Sequence, residues 1–182
     1  KNQSLSSVVF AVILGFAIFF YSRKEIPVIR AERTVAASVD TVWKHWTEPE
    51  SIKQWWGPQY FTAPVIKSDF HEGGSFLFSM QSPEGKMFWN GGRYQVIDPK
   101  KKIIAKMFFA DENGKPVPAS NYGIPGTWKD DVTLSIEFSE KDGKTTIRVR
   151  EDGVPTEMAE MGRLGWEQQL DKFEQLLKAN PQ

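Results

Sequence analysis

A tryptophan-rich stretch at residues 38–58, SVDTVWKHWTEPESIKQWWGP, constrains the fold of this chain more than any other feature. It holds four of the seven tryptophans in the 182-residue sequence. Ser38 is a favourable N-cap for one short helix, and Pro49 is tolerated in the first turn of a second. Each helix presents one apolar stripe, and both are too short to be stable alone in water. The stretch therefore needs a large apolar partner from the rest of the chain.

Alternating apolar and polar residues supply that partner as predicted strands. The strands are predicted at residues 28–37, 61–70, 75–80, 86–97, 103–109, 132–138 and 145–150. Within the fourth strand, the pair Gly91-Gly92 predicts a bulge or bend. A long amphipathic helix, predicted to be capped by Thr156, follows the last strand. Gly162 and Gly165 cost that helix about 1 kcal/mol each relative to Ala, which indicates close approach to the sheet or room for something beside it.

This order of elements predicts an α+β fold. One strand is followed by two short helices, about six antiparallel strands and one long C-terminal helix. An antiparallel sheet that buries one face needs a cover, so we predict a curved sheet wrapped on the C-terminal helix, with a cavity between them. Residues 111–130 form a long loop rich in Gly, Pro, Asn and Ser. That loop is either a lid over the cavity or a tolerated surface insertion.

Composition excludes several classes of function. Lys+Arg and Asp+Glu both number 23, so charge gives no argument for nucleic-acid binding. The absence of cysteine excludes disulfides, thiolate metal sites and cysteine nucleophiles, and two histidines are too few for a His-rich metal site. No phosphate-binding, dinucleotide-binding, nucleophile-elbow or zinc-protease motif is present. We therefore predict no metal, no cofactor and no catalytic residue.

The N-terminal run at residues 5–21, LSSVVFAVILGFAIFFY, is apolar on all sides. A cleaved signal peptide would need a small-residue cleavage site after the run, and a buried core helix would carry a polar face. The favoured interpretation is a transmembrane-like anchor. The charge-free run at 8–21 is shorter than the about 20 residues of a full span, but residues 5–7 can extend it. Residues 1–27 are then anchor and linker, and 28–182 are the folded domain. Arg23 and Lys24 predict a single-pass membrane protein with that domain on the cytoplasmic side.

A set of largely aromatic residues is predicted to line the cavity, although the same residues would equally suit a plain core. These residues are Trp55, Phe76, Phe78, Trp89, Tyr94, Phe108, Met158, Gly162, Trp166 and Gln169. Ligand pockets are typically apolar with a few polar groups, and Asn90, Arg93 and Gln169 are the polar side chains available.

The two histidines are weighed separately. His71 lies in a turn with Asp69 and Glu72, where a histidine beside carboxylates could act as a general base near neutral pH. The favoured interpretation is an exposed turn without catalysis. His45 lies one residue off the apolar stripe of its helix and is predicted to be at the surface or an interface.

A series of short motifs along residues 29–177 resembles a known family. In chain order they are VW at 42–43, WTEPE at 46–50, WWGP at 55–58, Asp69 with GG at 73–74, GRY at 92–94, Pro99, GW at 165–166 and the final leucines. The chain resembles the START-like (SRPBCC, helix-grip) superfamily. Within it, the chain is similar to the short bacterial form of the activator of heat-shock protein 90 ATPase homologue family. The sequence departs from that pattern at His45, His71 and the run at 5–21.

Three functional hypotheses follow. The favoured one is a membrane-tethered START-like domain that binds a small hydrophobic or lipid-like ligand between the sheet and the C-terminal helix. The resemblance implies a second, in which the domain stimulates a heat-shock protein 90 ATPase as a co-chaperone. The third is a cyclase or hydrolase in which His71, Asp69 and Glu72 point into the cavity. The predicted partners are accordingly a small hydrophobic ligand, a chaperone and a membrane reached through residues 5–21, with no nucleic acid.

Overall fold

The structure, a computed structural model, describes residues 27–180. Its elements, in chain order, are β1 (Ile29–Val35), α1 (Val39–Thr47), α2 (Pro49–Ile52), β2 (Ile66–Ser68), β3 (Ser75–Gln81), β4 (Met87–Asp98), β5 (Lys102–Ala110), β6 (Val132–Lys141), β7 (Lys144–Asp152) and α3 (Ala159–Ala179). Short 3₁₀ turns at Ala119–Tyr122 and Thr156–Met158 complete the described chain.

The strands form one seven-stranded antiparallel sheet in the order β1-β7-β6-β5-β4-β3-β2. The first strand pairs with the last, and the two strands nearest the N-terminus, β1 and β2, form the two edges of the sheet. One face of the sheet is covered by α3, and α1 packs near one end of that face against β6 and β7. The predicted α+β class and the antiparallel sheet with a covering C-terminal helix are confirmed.

Local sequence explains where the helices begin, with one exception. The Ser38 hydroxyl accepts a hydrogen bond from the Thr41 N–H at 3.3 Å, and Pro49 is the first residue of α2, as predicted. The predicted cap at Thr156 is wrong, because Thr156–Met158 forms a 3₁₀ turn and α3 begins only at Ala159. The turn buries Met158, whose side chain is held in the core.

The second strand is shorter than predicted, covering Ile66–Ser68 rather than residues 61–70. A buried side chain takes over part of the ladder: Ser79 Oγ accepts from the Val65 N–H at 2.8 Å and donates to the Val65 carbonyl at 3.2 Å. Ahead of β2, the chain is therefore joined to β3 through Ser79 and through an isolated Thr62–Gln81 bridge rather than through a regular ladder.

The glycine pair in β4 has a different role from the one predicted. The register shift in β4 falls between Tyr94 and Val96, not at the glycines. A Cβ atom at Gly92 would lie 2.2 Å from Phe76 Cζ, and one at Gly91 would lie 2.6 Å from Phe108 Cε2. Both glycines thus allow aromatic rings to pack directly on the strand backbone.

The tryptophan-rich helices are stabilised by α3. The ring of Trp46 lies 4.6 Å from that of Trp55 and 5.1 Å from that of Phe173, measured between centroids. Trp55 also contacts Phe173 at 5.2 Å, and its Nε1 donates to the His45 carbonyl at 3.1 Å. These contacts supply the apolar partner that the two short helices need.

An ionic cluster joins α3 to β1. Arg33 lies at an inward position of β1 and bonds to Glu167, Asp171 and Glu174, which follow one another along α3. The spacing of these carboxylates places all three on one side of the helix. Arg33 therefore fixes the position of α3 along the strand.

The membrane prediction requires a correction. Across residues 27–180, the structure contains no helix that is both long enough and apolar enough to cross a bilayer. This finding overturns the predicted single-pass membrane localisation with a cytoplasmic domain. The run at 5–21, on which that prediction depended, lies outside the described residues.

Candidate functional site

A cavity of about 1050 Å³ lies between the first half of α3 and the sheet. Met158, Gly162 and Trp166 line it from the helix side. Met107 of β5 and Phe88 of β4 line it from the sheet. The cavity is therefore where the sequence placed it, in the space between the covering helix and the strands.

Part of the long loop between β5 and β6 forms a third wall. Residues 116–120, 124–126 and 128–132 line the cavity. The loop is attached to the sheet through Tyr122, whose hydroxyl donates to the Ala110 carbonyl and whose own carbonyl accepts from Lys86 Nζ at 2.8 Å. The loop was predicted to be either a lid or a tolerated surface insertion, and its residues border the cavity, as those of a lid would.

The loop that follows α2 forms a further wall and is bonded to α3 through Lys172, Gln168 and Gln169. Lys172 Nζ donates to the carbonyls of Trp56, Gly57 and Phe61 at 3.2, 3.0 and 2.9 Å. The Gly57 N–H in turn donates to Gln169 Oε1 at 2.9 Å. Burial lowers the pKa of Lys172, and within residues 27–180 no carboxylate pairs with it.

Two tryptophans stand between this cavity and the deeper core. Trp56 and Trp166 line both the cavity and a second, interior void of about 40 Å³, and their ring centroids are 5.8 Å apart. Trp56 Nε1 is buried and has no hydrogen-bond partner among the described residues. The pair separates a space large enough for a ligand from one that is only a packing gap.

Comparison with known proteins gives the family. Residues 36–178 match the sequence model of the family described as Activator of Hsp90 ATPase homolog 1-like protein. The chain belongs to this family. No protein with a curated description matches the sequence.

Solved structures agree with the assignment to the Activator of Hsp90 ATPase homolog 1-like family. A solution structure of a protein from Staphylococcus epidermidis is 25% identical, with a TM-score of 0.66 over 90% of this chain and 96% of that one. A crystal structure from Nitrosomonas europaea is 24% identical, with a TM-score of 0.68 over 87% and 97%. The AHSA1 protein of Silicibacter pomeroyi is 17% identical, with a TM-score of 0.67 over 84% and 99%. These solved structures share the fold of this chain.

The predicted lining residues fall into three groups in this family member. Those that line the large cavity are Phe108, Met158, Gly162, Trp166 and Gln169. Those that surround the interior void are Trp55, Phe76, Phe78 and Tyr94, together with Trp166. Trp89 lines neither space, because it alternates along β4 with Phe88 and Asn90, which line the cavity. Ligand contact by any of them stays a prediction.

The polar candidates also separate. Asn90 and Gln169 line the cavity. Arg93 is exposed, and its guanidinium donates to the Gly73 carbonyl at 3.3 Å, outside the cavity. His45 is half-buried, and its Nδ1 is bonded to the Ser51 hydroxyl within the helix pair.

The proposed catalytic group lies on the outer surface. The His71 side chain is 62% exposed, and its Nε2 is 3.0 Å from Asp69 Oδ2. Hydrogen bonds to the Glu72 carbonyl and to Asp69 raise the pKa of His71. None of the three residues lines the cavity, so the hypothesis that they carry out chemistry inside it is wrong.

One polar residue of the cavity was missed by the sequence analysis. Glu151 on β7 lines the cavity, and its Oε2 accepts a hydrogen bond from Trp166 Nε1 at 3.0 Å. Burial raises the pKa of Glu151 above its ordinary value of 4.5, and the bond from Trp166 opposes that rise. Its signal was present in the alternation of β7, where it occupies the inward position that follows Ile147 and Val149.

Replacing Glu151 with glutamine should stabilise the protein at neutral pH. The amide oxygen can still accept the Trp166 N–H, while the unfavourable burial of a carboxylate is removed. Because the folded-state pKa is raised, the contribution of Glu151 to stability is fully present below about pH 4.5 and is lost as pH rises through the folded pKa. We expect a gain of about 1–2 kcal/mol at pH 7, or about 2–8 °C in Tm.

Thermal unfolding between pH 4 and pH 8 measures this difference. The advantage of Glu151→Gln should disappear near pH 4, where the wild-type carboxyl is protonated as well. Equal Tm values at pH 7, or a gain that is constant across the pH range, would contradict a raised pKa at Glu151.

Proposed function

We propose that this domain binds one small hydrophobic, lipid-like molecule in the cavity between α3 and the sheet. The observation that carries the proposal is the cavity itself, about 1050 Å³ and lined largely by apolar side chains. Pockets for small molecules are typically about 300–1,000 Å³, apolar, and equipped with a few polar groups. Here Glu151, Asn90 and Gln169 are such groups.

The glycines of α3 support this proposal. Gly165 lines the cavity, and a Cβ atom there would meet only Pro58 Cγ, at 4.0 Å. Glycine in a helix interior is less stable than alanine by about 0.8–1.0 kcal/mol. Packing around Gly165 leaves room for a side chain, so close contact does not explain the loss of helix stability. The absence of a side chain there leaves the cavity open.

Filling the cavity from Gly165 should abolish binding without harming the fold. A leucine there projects into the open space and is also a better helix former than glycine. With the neutral dye Nile red as the probe, we expect the Gly165→Leu variant to bind at least about tenfold more weakly, with Tm unchanged or higher. Fluorescence titration and thermal unfolding of the full chain measure the two effects.

Gly165→Ala is the matched control. It gains the same helix propensity but adds only a methyl group, so its affinity for Nile red should stay within about threefold of wild type. If Gly165→Leu binds Nile red as well as wild type does, or if wild type does not bind the dye, the cavity is not the binding site proposed.

The family description supports a second candidate, stimulation of an Hsp90-type ATPase. The match covers residues 36–178, which is nearly the whole described domain. Binding and ATPase assays with the Hsp90 homologue of the same organism distinguish the two functions. Stimulation that Gly165→Leu leaves intact would show that chaperone binding does not need the cavity, and an absence of both binding and stimulation would exclude the co-chaperone role.

A further inference from the structure

We propose that Glu151 makes the cavity selective for apolar molecules that end in a protonated amine. The inference rests on the proposed function, since it specifies which hydrophobic ligand the same cavity takes. The Glu151 carboxylate binds the amine, and the Trp166 indole orients that carboxylate.

The carboxylate has unused bonding capacity on the cavity side. An ionised carboxylate can accept about four hydrogen bonds. Within residues 27–180, Glu151 accepts only one, from Trp166 Nε1 at 3.0 Å. Because Glu151 also lines the cavity, the remaining acceptor positions are available to a bound molecule.

The protein offers no cation to this carboxylate. Arg150, the nearest basic residue in sequence, bonds to Asp152 at 2.8 and 3.0 Å and lies on the outward side of β7. Lys129 is the one described basic residue among those that line the cavity, and it forms no salt bridge with Glu151. No described residue forms a salt bridge with Glu151.

An unpaired carboxylate is costly even where it is only partly buried, as Glu151 is, and a cation from outside offsets that cost. An ammonium group offers three hydrogen-bond donors and a full positive charge, whereas a hydroxyl group offers one donor and no charge. An alkylammonium group therefore gains more from Glu151 than a hydroxyl group on the same apolar body. A carboxylate ligand would instead be repelled.

The surroundings of Glu151 keep that charge away from competing groups. Across the strands it faces Ile29 on β1 and Leu134 on β6, both of them apolar and buried. On α3, Gly162 leaves no side chain opposite Ile29, whose Cδ1 would lie 2.4 Å from a Cβ atom there. The helix thus packs close to β1, and the cross-strand neighbours of the carboxylate are apolar.

Competition between three ligands of equal length tests the inference. Dodecylamine, 1-dodecanol and dodecanoate are each used to displace Nile red from the full chain at pH 7. Each ligand is kept below its micelle or solubility limit. For wild type, we expect dodecylamine to bind about tenfold more tightly than dodecanol, and dodecanoate to bind most weakly. In Glu151→Gln, the preference for the amine should fall to about twofold or less, while dodecanol stays within about threefold of wild type.

Glu112→Gln is the control, because it removes one carboxylate charge from an exposed position that does not line the cavity. It should keep the wild-type preference for the amine. An amine-to-alcohol ratio that is the same in wild type and Glu151→Gln would overturn the inference, as would tightest binding of dodecanoate. If dodecanol binds without any preference for the amine, the cavity function stands and the role of Glu151 is wrong. If neither Nile red nor any of the three ligands binds, the proposed function fails as well.

Discussion

Replacing Trp55 with alanine should destabilise the domain by about 3–5 kcal/mol. The side chain is 1% exposed and contacts three other rings, those of Trp46, Trp56 and Phe173, at centroid distances of 4.6, 5.8 and 5.2 Å. Its Nε1 also satisfies the His45 carbonyl. The variant therefore loses packing and leaves a large cavity at the point where α1, α2 and α3 meet.

Urea denaturation of the full chain measures this loss, which corresponds to a fall of about 6–20 °C in Tm. Trp89→Ala is the matched control, because it removes the same side chain from a half-buried position outside both cavities. We expect the control to lose less than half as much stability. Equal losses would show that the ring cluster has no special role in stability.

Replacing Gly92 with alanine should cost about 2–3 kcal/mol. The new Cβ atom would lie 2.2 Å from Phe76 Cζ and 2.4 Å from the Lys106 carbonyl oxygen. The carbonyl belongs to the neighbouring strand β5 and cannot retreat without disturbing the β4–β5 pairing. The added methyl group therefore strains the centre of the sheet rather than filling a space.

Gly91→Ala is the comparison for this second variant. Its Cβ atom would meet the edge of the Phe108 ring at 2.6 Å, but no backbone atom is among its nearest contacts. Phe108 is half-buried, so the ring can turn aside. In chemical denaturation the Gly91 variant should lose less than half of what the Gly92 variant loses. The opposite order would mean that the carbonyl clash is relieved easily.

Much of the fold was accessible from the sequence because local rules govern it. The N-cap at Ser38, Pro49 at the start of α2 and the alternation of β6 all depend on neighbours in sequence. The features that were wrong depend on distant contacts. The Ser79 side chain bonds to Val65, where the predicted strand is interrupted, and the Gly91-Gly92 pair accommodates rings that approach from other strands.

The site was harder to predict than the fold. Trp55 and Trp166 are both buried tryptophans, and only the placement of α3 decides that one faces the interior void alone and the other reaches the cavity. Trp89 could have been excluded from the cavity lining, because strand alternation places it on the other face of the sheet from its neighbour Asn90. Glu151 could have been found from the same rule, as a carboxylate at an inward position of β7.

The Lys172 ammonium group has a consequence for how fast a ligand can come and go. By bonding to the carbonyls of Trp56, Gly57 and Phe61, it fastens the loop after α2 to α3 as one unit. The β5–β6 loop is instead attached to the sheet at separate points, through Val117, Tyr122 and Asp131. Exchange with solvent is then expected to require displacement of the β5–β6 loop, so residence time depends on residues that need not touch the ligand. Affinity and off-rate would accordingly respond to different parts of the chain.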